Sequence, residues 1–297
     1  MRPRRPRWYF AVVLSAGLAG SLASVGCEAG GAGEGPGHRA QRLALTPQQE
    51  LEMGREASQE VLSHPEKYGA PLPANTRPVE RVTDISRRIV RAAHIEPLQR
   101  EVNFRLQGWA FEWQVHVLQN RQRNAFCLPA GKLFVFTGIL PVAENDSQLA
   151  TVLSHEISHA LAHHSSERLA QEERYRRQFA MVGDAMSGMD SQQRGSFLSV
   201  LGLFQSKRHD REQEMEADHI GVFLMTFAGY EPEQAVRFWE RMQRASGGQD
   251  PPEILSDHPS TAHRIEAMRD KWVPQAVAGK RAYDEGRIAP APAERGQ

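Results

Sequence analysis

Net charge, cysteine and long apolar runs are all scarce in this chain of 297 residues. Thirty-six basic residues offset thirty-six acidic ones, so no net field recruits nucleic acid, and no nucleic-acid partner is expected. Two cysteines, Cys27 and Cys127, cannot build a disulfide framework. No internal repeat is visible, which excludes a solenoid. Beyond the N-terminus, the apolar run FLSVLGLF at 197–204 is too short to span a bilayer. It reads as a core or lid helix, with membrane contact as the alternative. What is present is a 40% apolar composition, enough for the packed core of one sizeable domain.

The first residues do not read as fold. MRPRRPR is basic, and the 19 residues from Trp8 to Gly26 are apolar. That is close to the roughly 20 residues of a spanning helix. The second half of the run is rich in Gly, Ala and Ser, however, and Cys27 follows at once. SVGC resembles a bacterial lipobox, with Ser24 where leucine is usual. The expectation is a signal peptide over 1–26 and a lipidated Cys27 that becomes the new N-terminus. A plain signal peptide and an uncleaved anchor are the alternatives. A lipidated Cys27 leaves Cys127 no disulfide partner, and burial is its expected fate. Residues 27–45 are Gly-rich at first and read as a tether.

Folded structure is expected over 46–275. TPQQELEMGREASQEVL has an N-cap Thr46, a proline in the first turn and Gln49 three residues after the cap, so it reads as a helix. PVERVTDISRRIVRAA is a second amphipathic helix. VNFRL, FEWQVHVL and KLFVFTGIL read as strands of a small sheet. From Asn145 onward the pattern is helical, and 276–297 reads as a flexible tail. A few strands followed by many helices indicate an α+β fold, mostly helical.

SHEISHALAHH, residues 154–164, contains an HExxH pattern. On a helix, His155 and His159 lie on one face about 6 Å apart along the axis, spaced to share one zinc ion. Glu156, about 100° round the helix, is placed to act as a base. Leu149, Leu153, Ile157 and Leu161 form a ridge that would seat the helix in the core. His163 and His164 fall just past the site or are solvated. Downstream, REQEMEADHIG (211–221) puts Glu214, Asp218 and Gly221 on one face. Glu214 can ligate zinc. Asp218 can accept the spare N–H of a ligand histidine, and Gly221 permits close approach of the two helices. Glu212 and Glu216 read as a solvated acidic face.

HExxH followed by E-x-E-A-D resembles the M48 zinc metallopeptidases. NAFCLPAGKLFVFTGIL (124–140), AGYEP (228–232) and HPSTAHRI (258–265) are similar to further stretches of that family, and together these cover roughly residues 46–275. The soluble BepA-like branch, related to HtpX and the mitochondrial overlapping-activity protease, fits best, because no spanning helices flank the motif. Ala130 departs from the pattern, standing where the family usually has the first glycine of a pair. The resemblance implies a zincin-type domain with His155, His159 and Glu214 as ligands of one Zn2+ per chain and Glu156 as catalytic base. It implies a zinc-dependent endopeptidase of the bacterial cell envelope, held at the membrane by its N-terminal lipid and acting on unfolded or misassembled proteins.

A second stabilising donor is needed at the reacting carbonyl, and His219, Tyr230, His258, His263 or Arg264 are candidates. His258 has two further readings: a latch over the metal, or a residue that caps a helix beginning at Pro259 or lines the cleft. The run Leu133, Phe134, Val135 and Phe136 is the candidate edge strand for docking an extended peptide by β-augmentation, with an ordinary buried strand as the alternative. A rival class is a zinc-stabilised, chaperone-like binding module with little or no proteolysis. Retention of Glu156 argues against it, since a scaffold needs ligands but no base.

Overall fold

The computed structural model describes residues 33–34, 39–95, 98, 102, 104, 108–185, 211–246, 252–258 and 262–287. The apolar N-terminal run, Cys27 and the segment 197–204 lie outside the described residues. Two short strands, β1 (Gly33–Glu34) and β2 (Ala40–Gln41), pair antiparallel within the stretch expected to be tether. The chain is already docked at that point, because Gln41 and Leu43 are buried.

Helix α1 (Pro47–Ser63) starts as its sequence dictates: Thr46 caps Gln49, and the Gln49 side chain returns to the Thr46 backbone. It crosses the sheet turn at Gly54, where a Cβ would sit 2.1 Å from the Pro129 carbonyl oxygen. After the short α2 (Pro65–Tyr68), α3 (Arg77–Ala92) turns Val79, Val82, Ile85 and Ile89 inward at helical spacing.

The sheet has three strands: β3 (Gln114–Leu118), β4 (Ala125–Leu128) and β5 (Lys132–Phe136), in the order β3-β5-β4. β3 runs parallel to β5, and β4 antiparallel to it. This corrects one expectation. The strand carrying Leu133 to Phe136 is central, so both of its backbone edges are paired and it cannot accept a substrate strand. The edge beside the metal helix belongs to β4. Two smaller expectations also change. Within VNFRL, Val102 is helical and Phe104 has no regular structure; both are buried and serve as packing. The turn between β4 and β5 is made by Ala130 at φ 57° and Gly131 at φ 86°. Alanine takes that left-handed conformation at a cost of about 1–2 kcal/mol, where glycine would have taken it freely.

Helix α4 (Asp146–Leu161) is capped by Asn145, whose side chain accepts from the Gln148 N–H. Its ridge of Leu149, Leu153, Ile157 and Leu161 is fully enclosed, as the spacing requires. His163, at φ 53°, turns the chain into α5 (His164–Ala185). Helix α6 covers 211–227. α7 (Glu233–Ser246) brings Phe238 and Trp239 into the core. The short α8 (Ile254–Asp257) and α9 (Ala262–Ala267) lead through a π turn to α10 (Val273–Asp284). α10 runs past Ala276, where the tail was expected to begin. It is held there by buried Val273 and Ala276 and by contact of Tyr283 with Phe227. The whole is mostly helical with one small mixed sheet, and among the described residues no helix is long and apolar enough to cross a membrane.

Candidate active site

Helices α4 and α6 carry the centre, and they meet at Gly221. A Cβ there would lie 3.2 Å from the His155 backbone nitrogen and 3.2 Å from Ser154 Oγ, so a side chain would have to push the helices apart by a few tenths of an ångström, and glycine lets them approach without that cost. Side chains one turn away therefore face each other across a short gap. His155 Nε2 is 3.2 Å from His159 Nε2 and 3.2 Å from Glu214 Oε2, and His159 Nε2 is 3.3 Å from Glu214 Oε1.

His258, at the C-terminus of α8, joins them. Its Nδ1 is 3.2 Å from His155 Nε2 and 3.0 Å from Glu214 Oε1. All four groups are buried, and one donor atom from each falls within 4.8 Å of the others. Four donors at about 2.0–2.1 Å from a tetrahedral zinc would sit about 3.3–3.4 Å apart. The five spacings given above, 3.0–3.3 Å, are close to that, and three imidazoles with one carboxylate are a zinc-compatible set. The residues fit a zinc ion.

Glu156 lies beside this cluster rather than in it. Its Oε2 accepts from the Cys127 backbone N–H at 3.2 Å, and its Oε1 is 3.3 Å from His258 Nε2. Burial pushes its carboxyl above the usual range, against the pull of His258 and His155. A raised carboxylate is a better proton acceptor near neutral pH. Cys127 itself is half-buried and unpaired.

The ligand set is held from behind. His155 Nδ1 faces Asp218 Oδ1 at 3.0 Å, and Arg264 Nε donates to Asp218 Oδ2 at 2.6 Å. This is the role the sequence assigns to Asp218, and it fixes Nε2 as the metal-facing atom of His155. Burial disfavours charge on His155, but Asp218 and Glu214 outweigh it and carry the imidazole up to about 10. Burial opposes charge on Glu214 too, yet His258 and the hydrogen bond with His155 hold its carboxyl well below the usual range. His159, by contrast, is pushed down to about 3 by burial, which keeps it neutral.

Of the candidate second donors, only His258 and Arg264 reach the cluster. Arg264 Nη1 lies 3.1 Å from Glu214 Oε2. His219 stacks on Trp272, Tyr230 lies under Arg88, and His263 is exposed. Pro259 lies outside the described residues.

For three residues the solvated reading fails, while His163 and His164 do fall just past the HExxH turn. His163 and His164 are both buried, and so is Glu216. His163 Nδ1 is 2.9 Å from Glu50 Oε1, under the Trp109 ring. His164 bridges His159 and Glu216. Burial pushes the Glu216 carboxyl up to about 7 despite its bonds to Arg39. Glu212 is exposed, as expected. The signal for His164 was its place five residues after a ligand, just beyond the helix end.

A buried HExxH helix facing a glutamate on a second helix, beside a small mixed sheet, defines a zincin-type metallopeptidase domain. Residues 84–271 match the model of Peptidase family M48, and the chain belongs to that family. It is 35% identical over 203 residues to the mitochondrial metalloendopeptidase OMA1 of Saccharomyces cerevisiae, covering 66% of this chain and 56% of that protein. Against the protein of the same name from Schizosaccharomyces pombe it is 34% identical over 238 residues, covering 79% and 64%. The beta-barrel assembly-enhancing protease of Escherichia coli is 28% identical over 163 residues, covering 52% of this chain and 33% of that protein. Identity is thus higher to the two yeast proteins than to the bacterial one that the sequence resemblance favoured. The chain spans less than two thirds of the length of any of the three.

Proposed function

We propose that this protein is a zinc-dependent endopeptidase, with one Zn2+ held by His155, His159 and Glu214 and with Glu156 as general base. The observation that carries the reading is the buried Glu156 carboxylate set directly beside a four-donor cluster of zinc spacing. Bound by His155, His159 and Glu214, a zinc ion would supply Lewis acidity for the scissile carbonyl and for a nucleophilic water at neutral pH. Glu156 takes a proton from the attacking water and delivers it to the leaving amine nitrogen.

Substrate is held along β4. Its other edge is paired with β5, and the outward Cys127 N–H already points at Glu156. An extended peptide added to that edge lies next to the base. Such binding reads backbone, which suits unfolded or misassembled proteins as substrates. The test is cleavage of an unfolded protein such as reduced casein. Hydrolysis that a chelator abolishes and zinc restores supports the reading. Binding without cleavage would instead make the protein a zinc-stabilised escort module.

His258 completes the donor set, and a fourth protein donor closes a site that catalysis needs open. We infer that His258 is a latch which must leave before water can enter. If the latched form holds about nine molecules in ten, His258→Ala raises basal cleavage about tenfold, at unchanged zinc content by metal analysis. A fall in turnover would instead make His258 a donor to the reacting carbonyl.

The same proposal places the protein in the bacterial cell envelope as a lipoprotein, facing the periplasm or exterior. The lipobox-like SVGC sequence supports that setting, as does the similarity to a protease of Escherichia coli. Cys27→Ser is expected to move the protein from the membrane fraction to the soluble one with its peptidase activity intact. Retention at the membrane would make 8–26 an uncleaved anchor.

A further inference from the structure

The two ligand histidines are supported differently. His155 is backed by a carboxylate directly, Asp218, which Arg264 holds in turn. His159 has no carboxylate on its far side. Its Nδ1 is 2.8 Å from His164 Nδ1, and His164 Nε2 is 2.9 Å from Glu216 Oε2. Since His159 meets the cluster through Nε2, its Nδ1 carries the proton and donates to His164. His164 then accepts at Nδ1 and donates from Nε2 to the carboxylate. The hydrogen bonds run in one direction, outward from the metal ligand.

Arg39 lies at the end of this line. Its Nε is 2.9 Å and its Nη2 is 2.6 Å from Glu216 Oε2, while Nη2 also lies 2.7 Å from Glu167 Oε2. One guanidinium therefore fixes two buried carboxylates in a fork that a point charge cannot reproduce. Gln41 and Gln213 also donate to Glu167, at 3.2 and 2.9 Å. The backbone just beyond Arg39 is pinned to α5 as well: Ala44 N–H reaches the Ser166 carbonyl and Leu45 N–H reaches Ser166 Oγ.

We propose that Arg39 is a positioning residue of the metal centre, acting through Glu216 and His164 on the ligand His159. Arg39–Glu216–His164 does for His159 what Arg264–Asp218 does for His155, with an imidazole spanning the longer gap. Both carboxylates come from α6, two and four residues after the ligand Glu214, so one helix supplies a ligand and both supports. The metal centre thus includes a residue from the segment that precedes the first long helix.

This rests on His159 being a metal ligand, and metal affinity rather than proteolysis tests it. Zinc Kd of the full-length protein is measured by competition with a chelator of known affinity. Arg39→Ala and His164→Leu are each expected to raise Kd about 10–100-fold, the usual cost of losing an outer-shell partner. The double variant is expected to match the larger single effect, because both break one line. Arg39→Lys keeps the charge but not the fork, and its Kd should fall between wild type and Arg39→Ala. Ser166→Ala loosens the same segment without touching the line and should leave Kd unchanged.

An unchanged Kd in Arg39→Ala overturns the proposal. So do single effects that multiply in the double variant, or a Ser166→Ala shift as large as that of Arg39→Ala. Should Arg39→Ala fold poorly, Arg39→Lys decides alone, and a wild-type Kd there overturns the proposal. His159→Ala separates the two readings. If it still binds zinc tightly, the metal site itself is misassigned and the proposal falls with it. If it abolishes binding while Arg39→Ala changes nothing, only the role of Arg39 fails.

Discussion

Glu156→Gln is expected to lower hydrolysis by about 10²–10⁴-fold, the range general-base catalysis supplies, while bound zinc stays at the wild-type level. The amide has the shape of the carboxylate and can still accept from the Cys127 N–H, so the buried packing around it is preserved. What it cannot do is take a proton from water. Glu156 also stands outside the donor cluster, facing His258 rather than the ligand atoms of His155 and His159. Turnover of an unfolded substrate, with zinc measured on the same preparation, checks this. Parallel loss of metal and activity would move Glu156 from catalyst to structural support.

Glu214→Ala is expected to do the opposite and remove the metal itself. Glu214 is the only anionic member of the four-donor cluster. Arg264 approaches it at 3.1 Å. Without the carboxylate, three imidazoles and a guanidinium would have to accept a divalent cation with no counter-charge among them. Zinc Kd should rise by more than about 100-fold, beyond what an outer-shell loss costs. Glu216→Gln, two residues on, should show only an outer-shell effect. If Glu216→Gln lost zinc outright while Glu214→Ala kept it, the ligand would be on the wrong side of α6. Glu216 is not part of the solvated acidic face that its sequence position suggested, because it is buried between Arg39 and His164.

The metal helix was legible because its requirements are local. HExxH fixes two ligands and a base within five positions, and the Leu149-to-Leu161 ridge fixes which way the helix faces. Asp218 and Gly221 follow from the spacing to Glu214 on one more helix. The sheet order was not legible. A strand reads as edge or centre only through its partners, and β3 pairs with β5 from across an intervening strand and turn. One clue was available: LFVF at 133–136 is a continuous apolar run with no polar alternation, as in strands covered on both faces, and the structure buries every residue of Lys132–Phe136. Arg39 was illegible for a different reason. It follows a glycine-rich stretch that buries nothing by composition, and its partner Glu216 lies 177 residues away.

The shortness of β4 has a bearing on which polypeptides can be cut. Four residues span about 13–14 Å at the rise of an antiparallel strand, and only alternate residues turn their backbone groups outward. In the proposed docking, a chain laid along that edge would be gripped only at the two outward residues, Ala125 and Cys127, and would have to be stretched out to reach both. A helix, about 10–12 Å across with its amides already satisfied, offers nothing to those positions. If substrate docks along β4 as proposed, sorting by backbone conformation would come before sorting by side chain: a substrate would qualify by being locally unfolded, and a neighbouring protein would be spared by keeping its amides in its own hydrogen bonds.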